Sequence, residues 1–209
     1  MMTRMTKRFF LIVLGVVGLM SFTPVATRAM NPTIGFVGDS NTDEYRSNDN
    51  RASGTPYAAT TLSWAELLVS KRGVDAGVWG TWAEPRRSGY AYNWSRSGAT
   101  SDSMITTGQH TGLAAQVAAG QVEYVLIYIG TNDFHTWNNT YSQVYSGSLA
   151  GNALQSKIDT IITRITTAVD TLKAAGNPQI VLANYAAPGH SLAVIQAFPS
   201  ATGRARVTT

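Results

Sequence analysis

The chain has 209 residues, no cysteine, and 16 Lys and Arg against 12 Asp and Glu, for a formal charge of +4. The missing cysteines exclude thiol nucleophiles, thiolate metal sites and disulfide redox chemistry. The positive balance is uneven: residues 1–29 hold Arg4, Lys7, Arg8 and Arg28 and no acid, so basic and acidic residues balance in the remainder, which gives no electrostatic reason to expect nucleic acid.

The start of the chain reads as a targeting segment. Its basic residues precede a continuous apolar run, Phe9 to Met20, and then Pro24 and the small residues around Thr27-Arg28-Ala29. The run falls short of the roughly 20 residues that span a bilayer. Charge, apolar core and small residues in that order predict a secretory signal peptide over 1–29, with an uncleaved N-terminal anchor as the alternative. Either way the folded part, 30–209, is expected to be exported, secreted or periplasmic, and to meet the membrane only through this segment. About 180 residues remain, enough for one domain whose core needs no disulfide.

Strands and helices alternate from there. Thr33 to Val37 reads as a buried strand. Ser63-Trp64-Ala65-Glu66 has the spacing of a capping box and predicts a short helix carrying Trp64, Leu67 and Leu68, which Gly73 can end. Val74 to Trp79 reads as a weaker strand, and the short segment Tyr90 to Trp94 as a further one. Leu113 to Ala119 predicts a small-residue helix ending at Gly120, and Glu123 to Ile129 a central strand covered on both faces. Ile158, Ile161, Ile162, Ile165, Val169 and Leu172 then recur at helical spacing, until Gly176-Asn177-Pro178 stops the helix. Gln179 to Tyr185 is the next predicted strand. The polar stretches Thr42 to Thr61 and Phe134 to Ser148 are expected as long loops. Repeated βα units of this kind predict an α/β fold, a parallel sheet flanked by helices in three layers.

Three polar turns follow these strands. Gly38-Asp39-Ser40-Asn41 comes directly after Ile34-Gly35-Phe36-Val37, Asn93-Trp94-Ser95-Arg96-Ser97-Gly98-Ala99-Thr100 after Tyr90 to Trp94, and Gly130-Thr131-Asn132-Asp133 after Tyr124 to Ile129. In open α/β sheets ligands bind beyond the C-terminal ends of strands, where these turns fall. Ser40 can act as a nucleophile if a base takes its proton, or can simply cap a helix. Gly98 lets a backbone N–H approach an acyl oxygen closely, or merely makes a turn. Asn132 can donate through its side-chain amide, or form a turn after a strand.

The three segments, in this order and at these strand ends, resemble the first three blocks of the SGNH (GDSL-type) serine hydrolase family. The resemblance implies that Ser40 attacks a carboxylic ester while the Gly98 amide and the Asn132 side chain hold the tetrahedral oxyanion. The neighbours Asp39, Asn41, Asp133 and His135 become candidate substrate contacts. It also implies a flavodoxin-like three-layer sheet and a catalytic Asp-x-x-His. None of the three histidines fits that pattern, since Thr107 stands three before His110, Asn132 before His135 and Ala187 before His190. The catalytic pair is therefore expected beyond Thr209, with these 209 residues C-terminally incomplete, almost inactive and poorly soluble on their own.

Other signatures are missing. The sequence contains no Gly-x-Ser-x-Gly elbow, His-x-x-x-His pair, phosphate-binding loop or dinucleotide fingerprint. Asp43 and Glu44 form a neighbouring acid pair in a polar loop, a weak signal for paired carboxylates. No metal or organic cofactor is expected, and a monomer is. Trp82 and Trp137 fall in predicted loops, where an indole can stack on a sugar ring or pack beneath the loop. The expected substrate is a small-molecule or carbohydrate acyl ester. The competing readings are a catalytically dead ester- or glycan-binding relative and a secreted structural domain.

Overall fold

The structure is a computed structural model and describes residues 31–46, 54–184 and 192–207. The expected signal segment, His190 and the loop after residue 184 lie outside the described residues.

The sheet is built on β1 (Ile34–Gly38), β4 (Tyr124–Tyr128) and β5 (Gln179–Leu182), all parallel, in the order β1-β4-β5. Register pairs Ile34 with Tyr124 and Gly38 with Tyr128, so β1 and β4 end level with each other. Side-chain alternation along the strands sends successive residues to opposite faces. Phe36 packs on one face with Ile34, Leu126 and the helix α1 (Trp64–Arg72), through Trp64, Ala65, Leu68 and Val69. On the other face Val37, Val125 and Ile127 meet α2 (Ser101–Thr106), α3 (Gln109–Ala118) and α5 (Gly151–Gly176), through Met104, Leu113, Val117, Ala168 and Leu172. Two helix layers thus cover one parallel sheet, as the alternation of elements predicts. Gly35 makes the second face possible: a Cβ there would lie 2.4 Å from Leu113. Only a residue without a side chain lets α3 approach β1 so closely.

Local chemistry explains the helix ends. The capping box at α1 forms as expected, with Glu66 N–H donating to the Ser63 hydroxyl and Ser63 N–H to the Glu66 carboxylate, and Gly73 closes the helix at φ +67. In α5 the apolar stripe buries Ile161, Ala168 and Leu172, while Ile162 stays 54% exposed on the far side, and Asn177 ends the helix in the left-handed region.

Several expectations need correction. Val74–Trp79 does not form a ladder; Asp75 makes one parallel bridge to Thr33, and the strand that does form there is β2 (Trp79–Thr81), paired antiparallel with β3 (Ser88–Tyr90). The segment 92–96 runs beside β1 without becoming a full strand: Phe36 N–H donates to Tyr92 O, Trp94 N–H to Phe36 O, and Arg96 N–H to Gly38 O. The stretch expected as a loop after Phe134 contains α4 (Thr140–Ser146), which α7 (Ala201–Arg206) packs against; α6 (Leu192–Ala197) precedes α7.

Candidate active site

The three polar turns meet on one rim. β1 delivers Gly38 to the C-terminal edge of the sheet, and the turn Asp39–Asp43 is closed by Thr42 N–H and Asp43 N–H donating to Asp39 O at 3.0 Å each. The 92–96 segment arrives on the flank of β1 away from β4, and Arg96 N–H donates to Gly38 O at 3.0 Å. On the other flank β4 ends beside Gly38 and continues into the 3-10 turn Thr131–Phe134. The Asn132 side chain, 6% exposed, closes the arc by donating through Nδ2 to Ala99 O at 2.9 Å. Ser40, Gly98 and Asn132 therefore belong to one hydrogen-bonded assembly, although they are far apart in sequence.

Each candidate has a distinct setting. Ser40 is half-buried just past the end of β1. Gly98 is exposed at φ +81, in the left-handed region that favours glycine, with nothing within 4 Å of where a Cβ would stand. The residue thus lies at the open edge of the rim. Asn132 has two amide protons; the bond to Ala99 O occupies one, and among the described residues no partner of the other is seen. Asn138 Nδ2 holds the same turn from outside by donating to Asn132 O at 2.7 Å.

The expected substrate contacts divide. Asn41 is half-buried on the Ser40 turn, and His135 is half-buried beyond the Asn132 turn, where its Nδ1 accepts from Trp137 N–H at 3.3 Å. Asp39 and Asp133 are buried in turn-forming hydrogen bonds. Asp39 is fully buried, and its Oδ1 accepts both Asn41 N–H at 2.8 Å and Asn41 Nδ2 at 2.9 Å. Asp133 is 4% exposed, and its two oxygens accept Ser101 N–H at 2.8 Å and Ser101 Oγ–H at 2.7 Å, which pins the start of α2. A buried carboxylate that accepts hydrogen bonds from the chain shapes its turn.

Asp43 and Glu44, an acid pair in the stretch expected as a polar loop, are both buried. Asp43 Oδ2 accepts Ser97 N–H at 2.8 Å and Oδ1 accepts Glu44 N–H at 2.9 Å. Glu44 Oε1 accepts Tyr90 N–H at 2.8 Å. Burial pushes the Glu44 carboxyl up to about 8; the Tyr90 N–H opposes the rise and the neighbouring Asp43 charge adds to it. Asn93 completes this side, donating to Thr42 O at 2.9 Å and accepting Ser95 N–H at 3.0 Å. The Gly38–Tyr128 pair puts the end of β4 beside the Ser40 turn, and burial, then the Asp39 charge, raise the Tyr128 phenol. The turn spacing of an Asp two residues ahead of a backbone amide could have signalled Asp39 as a turn-former. Nothing comparable marked Asp43, whose partner is 54 residues away.

His110 is buried on α3 with Nδ1 unpartnered, and desolvation lowers its basicity. It contributes nothing to the rim that the described hydrogen bonds reveal. Trp137 is 59% exposed, whereas Trp82 is half-buried with the Arg86 guanidinium 4.4 Å over its ring.

Among curated proteins, none matches the chain. The sequence pattern of the family described as GDSL-like lipase/acylhydrolase matches residues 34–192, a span that opens at the first residue of β1 and contains all three turns. That match covers most of the chain, and the parallel sheet with helices on both faces is the fold it implies, so the chain belongs to the GDSL-like lipase/acylhydrolase family and has the SGNH-hydrolase α/β fold.

Proposed function

We propose that this acylhydrolase is an exported serine esterase in which Ser40 is the nucleophile and Gly98 and Asn132 are oxyanion donors, acting on short-chain or carbohydrate acyl esters. One observation carries the reading: the bonds Arg96 N–H to Gly38 O and Asn132 Nδ2 to Ala99 O tie three sequence-distant turns into a single rim.

In the proposed reaction Ser40 Oγ attacks the acyl carbon and its proton passes to an imidazole. The carbonyl electron pair moves onto oxygen, where the Gly98 N–H and the second amide proton of Asn132 receive the charge. Collapse of that intermediate breaks the bond to the alcohol oxygen, which leaves with the proton. Water then hydrolyses the acyl-serine by the same route. Fixed donors of this kind contribute about a hundredfold to a thousandfold each, because they meet the developing charge without reorganising. The imidazole is the part that these residues do not offer at the Asp-x-x-His spacing.

Support for a sugar-borne ester comes from Trp137, whose exposed indole stands two residues beyond His135 with ring centroids 5.8 Å apart. Asn41 and His135 are the proposed contacts on either side of the scissile bond. An apolar leader ahead of the domain supports export.

The deciding experiment is treatment of the chain with a fluorophosphonate probe, followed by peptide mass mapping. An adduct on Ser40 that disappears in Ser40→Ala is the expected result. A folded protein with no adduct at Ser40, even with free imidazole supplied as the base, would sink the enzyme mechanism and favour a binding relative.

A further inference from the structure

A precise oxyanion donor should not be an exposed glycine left to itself. Glycine has the freest backbone of any residue, and Gly98 is solvent-exposed with no neighbour within 4 Å of its would-be side chain. Something nearby must hold its peptide. From the C-terminal side the loop is held by Asn132 at Ala99 O and by Asp133 at Ser101. From the N-terminal side Arg96 is tied to Gly38 O. Between Arg96 and Gly98 stands Ser97, and its N–H is the next amide to Gly98's own.

That N–H is taken by Asp43. The Asp43 carboxylate is 4% exposed; Oδ2 accepts Ser97 N–H at 2.8 Å, and Oδ1 is fixed in turn by Glu44 N–H at 2.9 Å. Its backbone N–H donates to Asp39 O at 3.0 Å, closing the turn that carries Ser40. One residue is thus bonded through its main chain to the nucleophile turn and through its side chain to the donor loop. An ionised carboxylate accepting backbone N–H groups out of water is among the stronger and shorter of protein hydrogen bonds. It is suited to holding a distance constant.

We propose that Asp43 is a positioning residue of the active site, whose carboxylate grips Ser97 N–H and thereby fixes the Gly98 amide relative to Ser40. The proposal rests on the roles given above to Ser40 and Gly98. Asp43 does not touch the substrate; it acts through the loop. Its effect therefore falls on the transition state, in which the oxyanion sits, and spares ground-state binding. A displacement of about 1 Å at such a donor costs on the order of a hundredfold in rate.

The test is single-turnover labelling by the fluorophosphonate probe with free imidazole supplied as the base, which needs the donors but no deacylation, with kinact and KI separated for Asp43→Asn, Asp43→Ala and Ser40→Ala at temperatures below each melting transition. Asp43→Ala is expected to lower kinact about a hundredfold with KI within about twofold of the unsubstituted chain. Asp43→Asn keeps one acceptor oxygen for Ser97 N–H and is expected to fall between the two. A folded Asp43→Ala with unchanged kinact, or with its loss confined to KI, overturns the positioning role while Ser40→Ala still abolishes labelling. If Ser40→Ala labels like the unsubstituted chain, the site reading itself is wrong and the Asp43 role goes with it. Should Asp43→Ala give no cooperative melt, Asp43→Asn decides: reduced kinact at constant KI upholds the role and unchanged kinact overturns it.

Discussion

Asn132 Nδ2 lies 2.9 Å from the carbonyl oxygen of Ala99, and this bond joins the turn after β4 to the loop that carries Gly98. The residue therefore has two jobs, one structural and one proposed as chemical, and they separate experimentally. Asn132→Ala removes the donor to the oxyanion and leaves the Ala99 carbonyl without its partner. Labelling of Ser40 by the phosphonate is expected to slow about a hundredfold to a thousandfold. Stability is expected to fall by about 1–3 kcal/mol in urea denaturation, the cost of an orphaned acceptor. A stability loss with no rate loss would leave Asn132 a purely structural residue.

Gly98 makes the opposite prediction, because its constraint is backbone and not space. At φ +81 with open surroundings, an added methyl group clashes with nothing beyond its own chain. Gly98→Ala is expected to cost about 1–2 kcal/mol, the penalty of an L-residue in the left-handed region. A shift of the urea midpoint at constant slope would report it. A substantially larger loss would mean that the loop packs more tightly than its open surroundings indicate.

What the sequence conveyed follows from which physical signals are local. β1, β4 and α5 are legible because Phe36-Val37, Val125 to Ile127 and the isoleucine stripe of α5 announce period and burial within a single element. α4 is not, since Thr140-Tyr141-Ser142-Gln143 looks like a turn and only its packing against α7 makes it a helix. α2 hides similarly behind a cap in which Ser103 stands where Glu or Gln would have marked a capping box. The order Ser40, Gly98, Asn132 was readable because Ser40 and Asn132 follow strand ends and Gly98 follows a segment hydrogen-bonded along β1. The buried state of Asp43, Glu44 and Asp133 was not, because each carboxylate is desolvated by partners dozens of residues away, Tyr90 in the case of Glu44 and Ser101 in that of Asp133. A polar run looks solvated until the amides that fill it are known.

Glu66 shows how much one side chain can hold together. It is fully buried and accepts Ser63 N–H at 2.8 Å, Tyr45 N–H at 3.0 Å and Arg46 Nε–H at 2.7 Å. The carboxylate thus starts α1 and anchors the segment that follows the Ser40 turn. Glu66→Ala is expected to destabilise by about 3 kcal/mol, since two backbone donors and one guanidinium lose their partner. Ser63→Ala removes only the other half of the cap and is expected to cost about 1 kcal/mol. Comparable melting temperatures for the two variants would show that Tyr45 and Arg46 gain nothing from Glu66.

Glu44 gives a pH signature. Its carboxyl is raised from the ordinary 4.5 to about 8, by burial first, with Tyr90 N–H opposing and the Asp43 charge adding. The charged groups facing it are Asp43 and Arg86, whose own basicity burial lowers and Glu44 partly restores. A group whose folded pKa exceeds its unfolded one stabilises fully below the unfolded value. That contribution declines as pH rises from 4.5 to about 8, because the unfolded chain releases the proton first, and stays lost above. Glu44→Gln keeps an acceptor oxygen for Tyr90 N–H but cannot ionise. The variant is therefore expected to lose the slope: near the unsubstituted protein at pH ~5 and more stable than it by a few kcal/mol at pH ~9, since each tenfold change in proton affinity is worth about 1.4 kcal/mol. Urea unfolding of both proteins across that range decides the matter. Parallel stability curves would show that Glu44 is ionised in the folded state and compensated by Arg86.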